Sequence, residues 1–192
     1  MSLRSVLKRH GLLWALKDWW YRMDWTKPNP SSVKKFLQTN VSDAALLKMY
    51  GTLPTFVGTR DEIMLKILKW VIDKVTYMSD YKHFRNTEKW VDVSQLRIDW
   101  IGDCEDGAVL IFALARAHKI NPLQIKLAAG PVKSGDDTEG HCYVKYMPDC
   151  DFGVWYTIDW CYWPDTNKFE DRDPINTERY LDPWFEVTDL EA

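Results

Sequence analysis

Apolar residues fill almost every position from Ala108 to Ala117, with no helix breaker among them, and so predict a helix buried nearly all round. Upstream, Thr59-Arg-Asp-Glu62 has the spacing of a capping box. Ile63, Ile67, Val71 and Val75 then recur at every fourth position, flanked by Met64, Leu68 and Ile72, and predict an amphipathic helix running to about Met78. Downstream of Asn121-Pro122 the pattern changes to alternation. Gln124 to Ala129, the run Gly-His-Cys-Tyr-Val-Lys-Tyr around His141, and Val-Trp-Tyr-Thr-Ile-Asp ending at Asp159 each read as strands.

The remaining stretches are less regular. Residues 2 to 25 set Leu3, Val6, Leu7, Leu13, Trp14, Trp20 and Tyr21 among basic residues, which predicts one or two amphipathic helices around Gly11. They read as an N-terminal arm over residues 1–30, packed on the chain's own core or presented to a protein partner or a membrane surface. Lys27 to Ser32 is a linker, and Ser31 or Ser32 is placed to cap a helix from near Val33. A second short helix is expected between Ser42 and Gly51. Residues 79 to 100 are polar and aromatic with weak periodicity and read as a long loop. Gly130 to Gly140, with three glycines, reads as a mobile loop before His141, either a lid or a plain hairpin loop. Only Trp184 to Val187 hints at a strand in the acidic tail, so residues 164–192 are expected to wrap a single domain spanning 31–192.

A chain of 192 residues with 46% hydrophobic residues suits one domain with a substantial core. A net charge of −3 gives no reason to expect nucleic-acid binding. The charge is unevenly spread: residues 1 to 40 hold eight Lys or Arg, and residues 149 to 192 hold twelve Asp or Glu. The four cysteines, Cys104, Cys142, Cys150 and Cys161, make no disulfide framework in a chain of this size, which fits a reducing, cytoplasmic setting. They contain no Cys-x-x-Cys pair for zinc. No apolar stretch is long enough to span a membrane, and no cleavage site follows the short apolar piece near the N-terminus.

Chemistry concentrates where the buried helix begins. Cys104 lies in Gly-Asp-Cys-Glu-Asp-Gly, and a cysteine at a helix start gains from unpaired backbone N–H groups and the helix dipole, which favour thiolate. Asp103, Glu105 and Asp106 oppose that, and the same residues also suit a plain acidic helix cap. Two partners follow in order, His141 and Asp159, 37 and then 18 residues further on. Pairing of their two strands would set imidazole and carboxylate side by side, facing the helix start.

Gly-Asp-Cys-Glu-Asp-Gly-Ala, then Gly-His, then Trp-Tyr-x-Ile-Asp together resemble the transglutaminase-like branch of the papain-type Cys-His-Asp enzymes, most nearly the bacterial transglutaminase-like cysteine peptidases. The matched core covers roughly residues 60 to 163. The resemblance implies a papain/transglutaminase-like α+β core and acyl transfer from an amide of a protein or peptide, through a thioester, with Cys104 as nucleophile, His141 as base and Asp159 as its orienting acceptor. It implies no required cofactor. In these peptidases acidic residues beside the cysteine take part in calcium binding, a role that would fall on Asp103 and Glu105. The aromatic segment before the cysteine lines the cleft in that family, which makes Tyr77, Tyr81 and Trp90 candidates for the cleft wall and second oxyanion donor. Domains of this kind also occur in phage-encoded and scaffold proteins, so the alternative is a non-catalytic assembly module, virion-associated if phage-encoded.

Overall fold

The computed structural model describes residues 30–84, 89–134, 137–162 and 179–190. The helices predicted in residues 2–25 lie outside them. The first described element is one helix, α1 (Pro30–Met49), where two were expected. The polar residues that suggested a break turn their hydrogen bonds back into the helix or onto its neighbours. Buried Asn40 donates from Nδ2 to the Phe36 carbonyl at 2.8 Å and accepts the Val93 N–H at 2.7 Å, and Ser42 Oγ donates to the Gln38 carbonyl at 3.1 Å.

Helix α2 (Arg60–Lys74) starts at the expected capping box. Thr59 Oγ1 accepts the Glu62 N–H at 3.2 Å, and Glu62 Oε2 accepts the Thr59 N–H at 2.9 Å. It ends at Lys74 rather than near Met78, because β1 (Thr76–Tyr77) pairs in parallel with β2 (Ile101–Gly102). The stretch read as one long loop also holds two short helices, α3 (Asp80–Phe84) and α4 (Val93–Asp99). Both are too short for apolar periodicity to register. The second is set by its ends: Asp92 accepts the Gln95 N–H at 2.7 Å, and Trp100 closes it in the left-handed region at φ 58°.

Helix α5 (Cys104–Ala117) is buried continuously from Glu105 to Ala115, as its sequence requires. It packs against α1 and α2 on one side and the sheet on the other. The sheet has the order β5-β4-β3-β6, antiparallel throughout, from β3 (Ile125–Ser134), β4 (Asp137–Tyr146), β5 (Tyr156–Ile158) and β6 (Phe185–Val187). Pairing of β3 with β4 runs unbroken from Ile125↔Tyr146 to Ser134↔Asp137. This overturns the lid reading of Gly130 to Gly140: Gly130 pairs with His141, Pro131 with Gly140, and the segment is a hairpin. A Cβ on Gly130 would come within 2.6 Å of Pro183 Cα, so glycine there lets the tail close onto β3. The described part of the tail follows that edge, bridging Val132 to Tyr180 before β6.

Candidate active site

Cys104 is the first residue of α5, with Asp103 at the cap. The helix start is clamped from the sheet side by Trp160, whose Nε1 donates to the Cys104 carbonyl at 3.2 Å. The indole lies directly over Gly107: a Cβ there would fall 2.2 Å from Trp160 Nε1. The Cys104 sulfur is 3.2 Å from Glu105 Oε2. Burial, then the charge of Glu105, pushes the thiol well above its ordinary range, and the Cys142 backbone N–H, bonded to the sulfur, acts the other way. The upward push is the direction in which the acidic neighbours act against the helix start. Of the neighbouring carboxylates, Glu105 and Asp106 are buried and Asp103 is half-buried.

The other two candidates meet each other. His141 is on β4, and Asp159 directly follows β5, which pairs with β4 through Val144↔Ile158. His141 Nε2 lies 2.7 Å from Asp159 Oδ2, and the two residues are 7% and 2% exposed. Among the described residues Asp159 accepts three more hydrogen bonds: Oδ1 from the backbone N–H groups of Cys161 (2.9 Å) and Tyr162 (3.4 Å), and Oδ2 from the Tyr180 hydroxyl (2.8 Å). Tyr143 stacks parallel to the imidazole and Tyr162 meets it edge-on. Since Cys142 follows His141 on β4 and bonds the Cys104 sulfur, helix start and strand meet at this point.

Behind the cap lies a second acidic group. Asp80, Asp103 and Asp106 bring carboxylate oxygens within 4.8 Å of one another, and Asp103, Cys104 and Glu105 do the same with their ligand atoms. Asp106 Oδ1 accepts the Val91 N–H at 2.8 Å and Oδ2 the Asp103 N–H at 3.3 Å. Asp103 Oδ2 accepts the Asp80 N–H at 3.2 Å, while its Oδ1 is buried with no hydrogen-bond partner among the described residues. Burial raises Asp106 to about 8, and burial with the nearby Asp103 charge raises Asp80 to about 6.

Of the three aromatic cleft candidates, Tyr77 is nearest the chemistry. Its ring packs against Trp160 at 5.8 Å, and its hydroxyl feels Cys104, Cys161 and Glu105. Tyr77 and Tyr81 are both exposed, and Trp90 packs edge-on to Phe36 at 5.9 Å. Sequence reasoning passed over Trp160, although it directly follows Asp159, and Tyr180, for which no local pattern exists.

No protein-family model matches the chain. Phosphatidylinositol 4-kinase gamma 3 of Arabidopsis thaliana is 28% identical over 105 residues, covering 46% of this chain and 17% of that protein. This chain thus spans only a small part of that relative's length. A solved structure of Legionella pneumophila LapG, 13% identical, aligns over 97% of this chain and 84% of that one with a TM-score of 0.53. Structures of EGTA-treated and calcium-bound LapG each align over 91% of the chain, with TM-scores of 0.45. The likeness to LapG is one of fold, and with the buried helix and four-stranded antiparallel sheet it gives the chain a transglutaminase-like α+β core.

Proposed function

We propose that the protein is a cysteine acyl-transfer enzyme acting on amide bonds of a protein or peptide through a thioester on Cys104. The observation that carries this is the buried His141–Asp159 pair at 2.7 Å, held by strand pairing next to the residue that bonds the Cys104 sulfur. In this reading Asp159 occupies Nε2 of His141 and leaves Nδ1 to the thiol. Because burial and the Glu105 charge push the thiol pKa up, the proton leaves during attack on the carbonyl: Nδ1 takes it as the sulfur–carbon bond forms, then returns it to the departing amine. The Cys104 backbone N–H at the helix start is the natural donor to the oxyanion, with the Tyr77 hydroxyl the first candidate for a second. Water as acceptor of the acyl group makes the enzyme a peptidase or deamidase, and an amine makes it a transglutaminase.

Calcium, which the family resemblance implies, suits the hard oxygen donors of Asp80, Asp103 and Asp106, two of which hold raised pKa values through burial and mutual charge. Bound there or at Asp103 and Glu105, it would supply positive charge beside the helix cap. A non-catalytic assembly module is the second reading, favoured by the raised Cys104 thiol. Incubation with a glutamine-containing protein and a labelled amine, following ammonia release, amine incorporation and chain cleavage, separates the two. Activity lost in Cys104→Ala supports the enzyme; no product of any kind supports the module.

A further inference from the structure

Asp159 has a fourth donor that comes from far along the chain. Arg179 to Trp184 run along the outer edge of β3, with Lys133 N–H donating to the Arg179 carbonyl (2.9 Å), Leu181 N–H to Pro131 (3.1 Å) and Trp184 N–H to Ala129 (2.7 Å). These bonds fix the backbone on both sides of Tyr180, and the ring is packed against Tyr143 with centroids 4.8 Å apart. Its hydroxyl therefore reaches Asp159 Oδ2 at 2.8 Å from a rigid base. The same oxygen receives His141 Nε2 at 2.7 Å, while the backbone donors of Cys161 and Tyr162 both fall on Oδ1. Among the described residues the Oδ2 oxygen thus has one side-chain donor besides the imidazole.

We propose that Tyr180 is a positioning residue of the active site: by sharing Oδ2 of Asp159 it sets the direction and strength of the hydrogen bond that orients His141. The tail is then part of the catalytic assembly. Two donors on one carboxylate oxygen compete for the same electron density, so a stronger phenol weakens the imidazole bond and a missing phenol strengthens and loosens it at once, since one of the oxygen's two restraints is gone. Burial, followed by the Asp159 charge, keeps the phenol protonated far above its ordinary range, so it is a donor at every working pH. The proposal rests on the enzymatic reading for its effect on turnover, but not for its effect on the His141–Asp159 bond.

The experiment compares the full chain with Tyr180→Phe and with Tyr180→3-fluorotyrosine, a nearly isosteric change that makes the phenol a stronger donor. The proton between His141 Nε2 and Asp159, observed by NMR as a far-downfield resonance and assigned by its loss in His141→Gln, should move further downfield in Tyr180→Phe and upfield in the fluorotyrosine protein. With an amide substrate turned over by the unmodified chain, Tyr180→Phe should lower kcat about tenfold, near 1.4 kcal/mol, with KM changed less than about twofold. If Tyr180→Phe does not fold, the fluorotyrosine shift decides alone. A resonance that stays in place in both proteins overturns the proposal whether or not the chain is active. Failure of the unmodified chain to turn over any amide contradicts the enzymatic reading and leaves the NMR outcome to decide the role of Tyr180.

Discussion

Replacing Gly107 by alanine sets helix propensity against the packing that joins helix to sheet. In an open helix the change would stabilise by about 0.8–1 kcal/mol. Here the new methyl would lie 2.2 Å from Trp160 Nε1 and 2.3 Å from its Cε2, against ordinary contacts of about 3.5–4.0 Å, so the indole must move by more than about 1 Å. It has nowhere to go cheaply, being 7% exposed and tied to the Cys104 carbonyl at 3.2 Å. Overpacking of this kind costs about 1–3 kcal/mol, and loss of the indole hydrogen bond about 1 kcal/mol more. Packing wins, and Gly107→Ala should destabilise the protein by about 2 kcal/mol, lowering Tm by about 4–8 °C in a chain of this size. Circular dichroism melts and urea unfolding measure it. A Tm equal to or above that of the unmodified chain would show that Trp160 is not the rigid clamp described and that propensity alone governs the site.

Glu105→Gln removes the charge nearest the Cys104 sulfur and should lower the thiol pKa, so that Cys104, followed by peptide mass spectrometry, is alkylated faster at pH 7–9 than in the unmodified chain; an unchanged rate would discount the 3.2 Å contact. Asp106 has a folded pKa near 8 against 3.8 unfolded, so the folded state binds the extra proton between them and its contribution to stability falls as pH rises through about 8. Urea unfolding should therefore show Asp106→Asn gaining stability relative to the unmodified chain between pH 6.5 and 8.5; a constant difference across that range would contradict it. Asp61→Ala strips acceptors from the Tyr146 hydroxyl (2.7 Å) and the N–H groups of Asp149 and Cys150 and should cost about 2–4 kcal/mol in urea titration, with under 1 kcal/mol counting against these bonds.

Legibility in the sequence followed the range of the interaction. The buried helix was readable because its apolar run is continuous, and α2 because Thr59 and Glu62 stand three apart before a four-residue apolar repeat. The pairing of His141 with Asp159 was readable because alternation marks both strands and the intervening chain is short. Elements that depend on end chemistry or distant pairing were not. Helix α4 is closed by Trp100 in a left-handed conformation that is uncommon for a residue with a Cβ. The long β3–β4 hairpin hid behind glycines and acidic residues that favour loops locally but are held extended by their partners. The sequence shows acidic neighbours of Cys104 without showing that Glu105 is buried against its sulfur. Tyr180 reaches Asp159 only through the tail's docking on β3, which no local pattern encodes.

The acyl-enzyme itself gives the most direct test. An activated amide or ester substrate is mixed with the full chain, the reaction is stopped in acid within a turnover, and the intact protein and its peptides are weighed. The account predicts an added acyl group on the Cys104 peptide that is released by hydroxylamine and absent in Cys104→Ala. Acyl transfer that proceeds unchanged in Cys104→Ala, or a label found only on exposed Cys150, would contradict it.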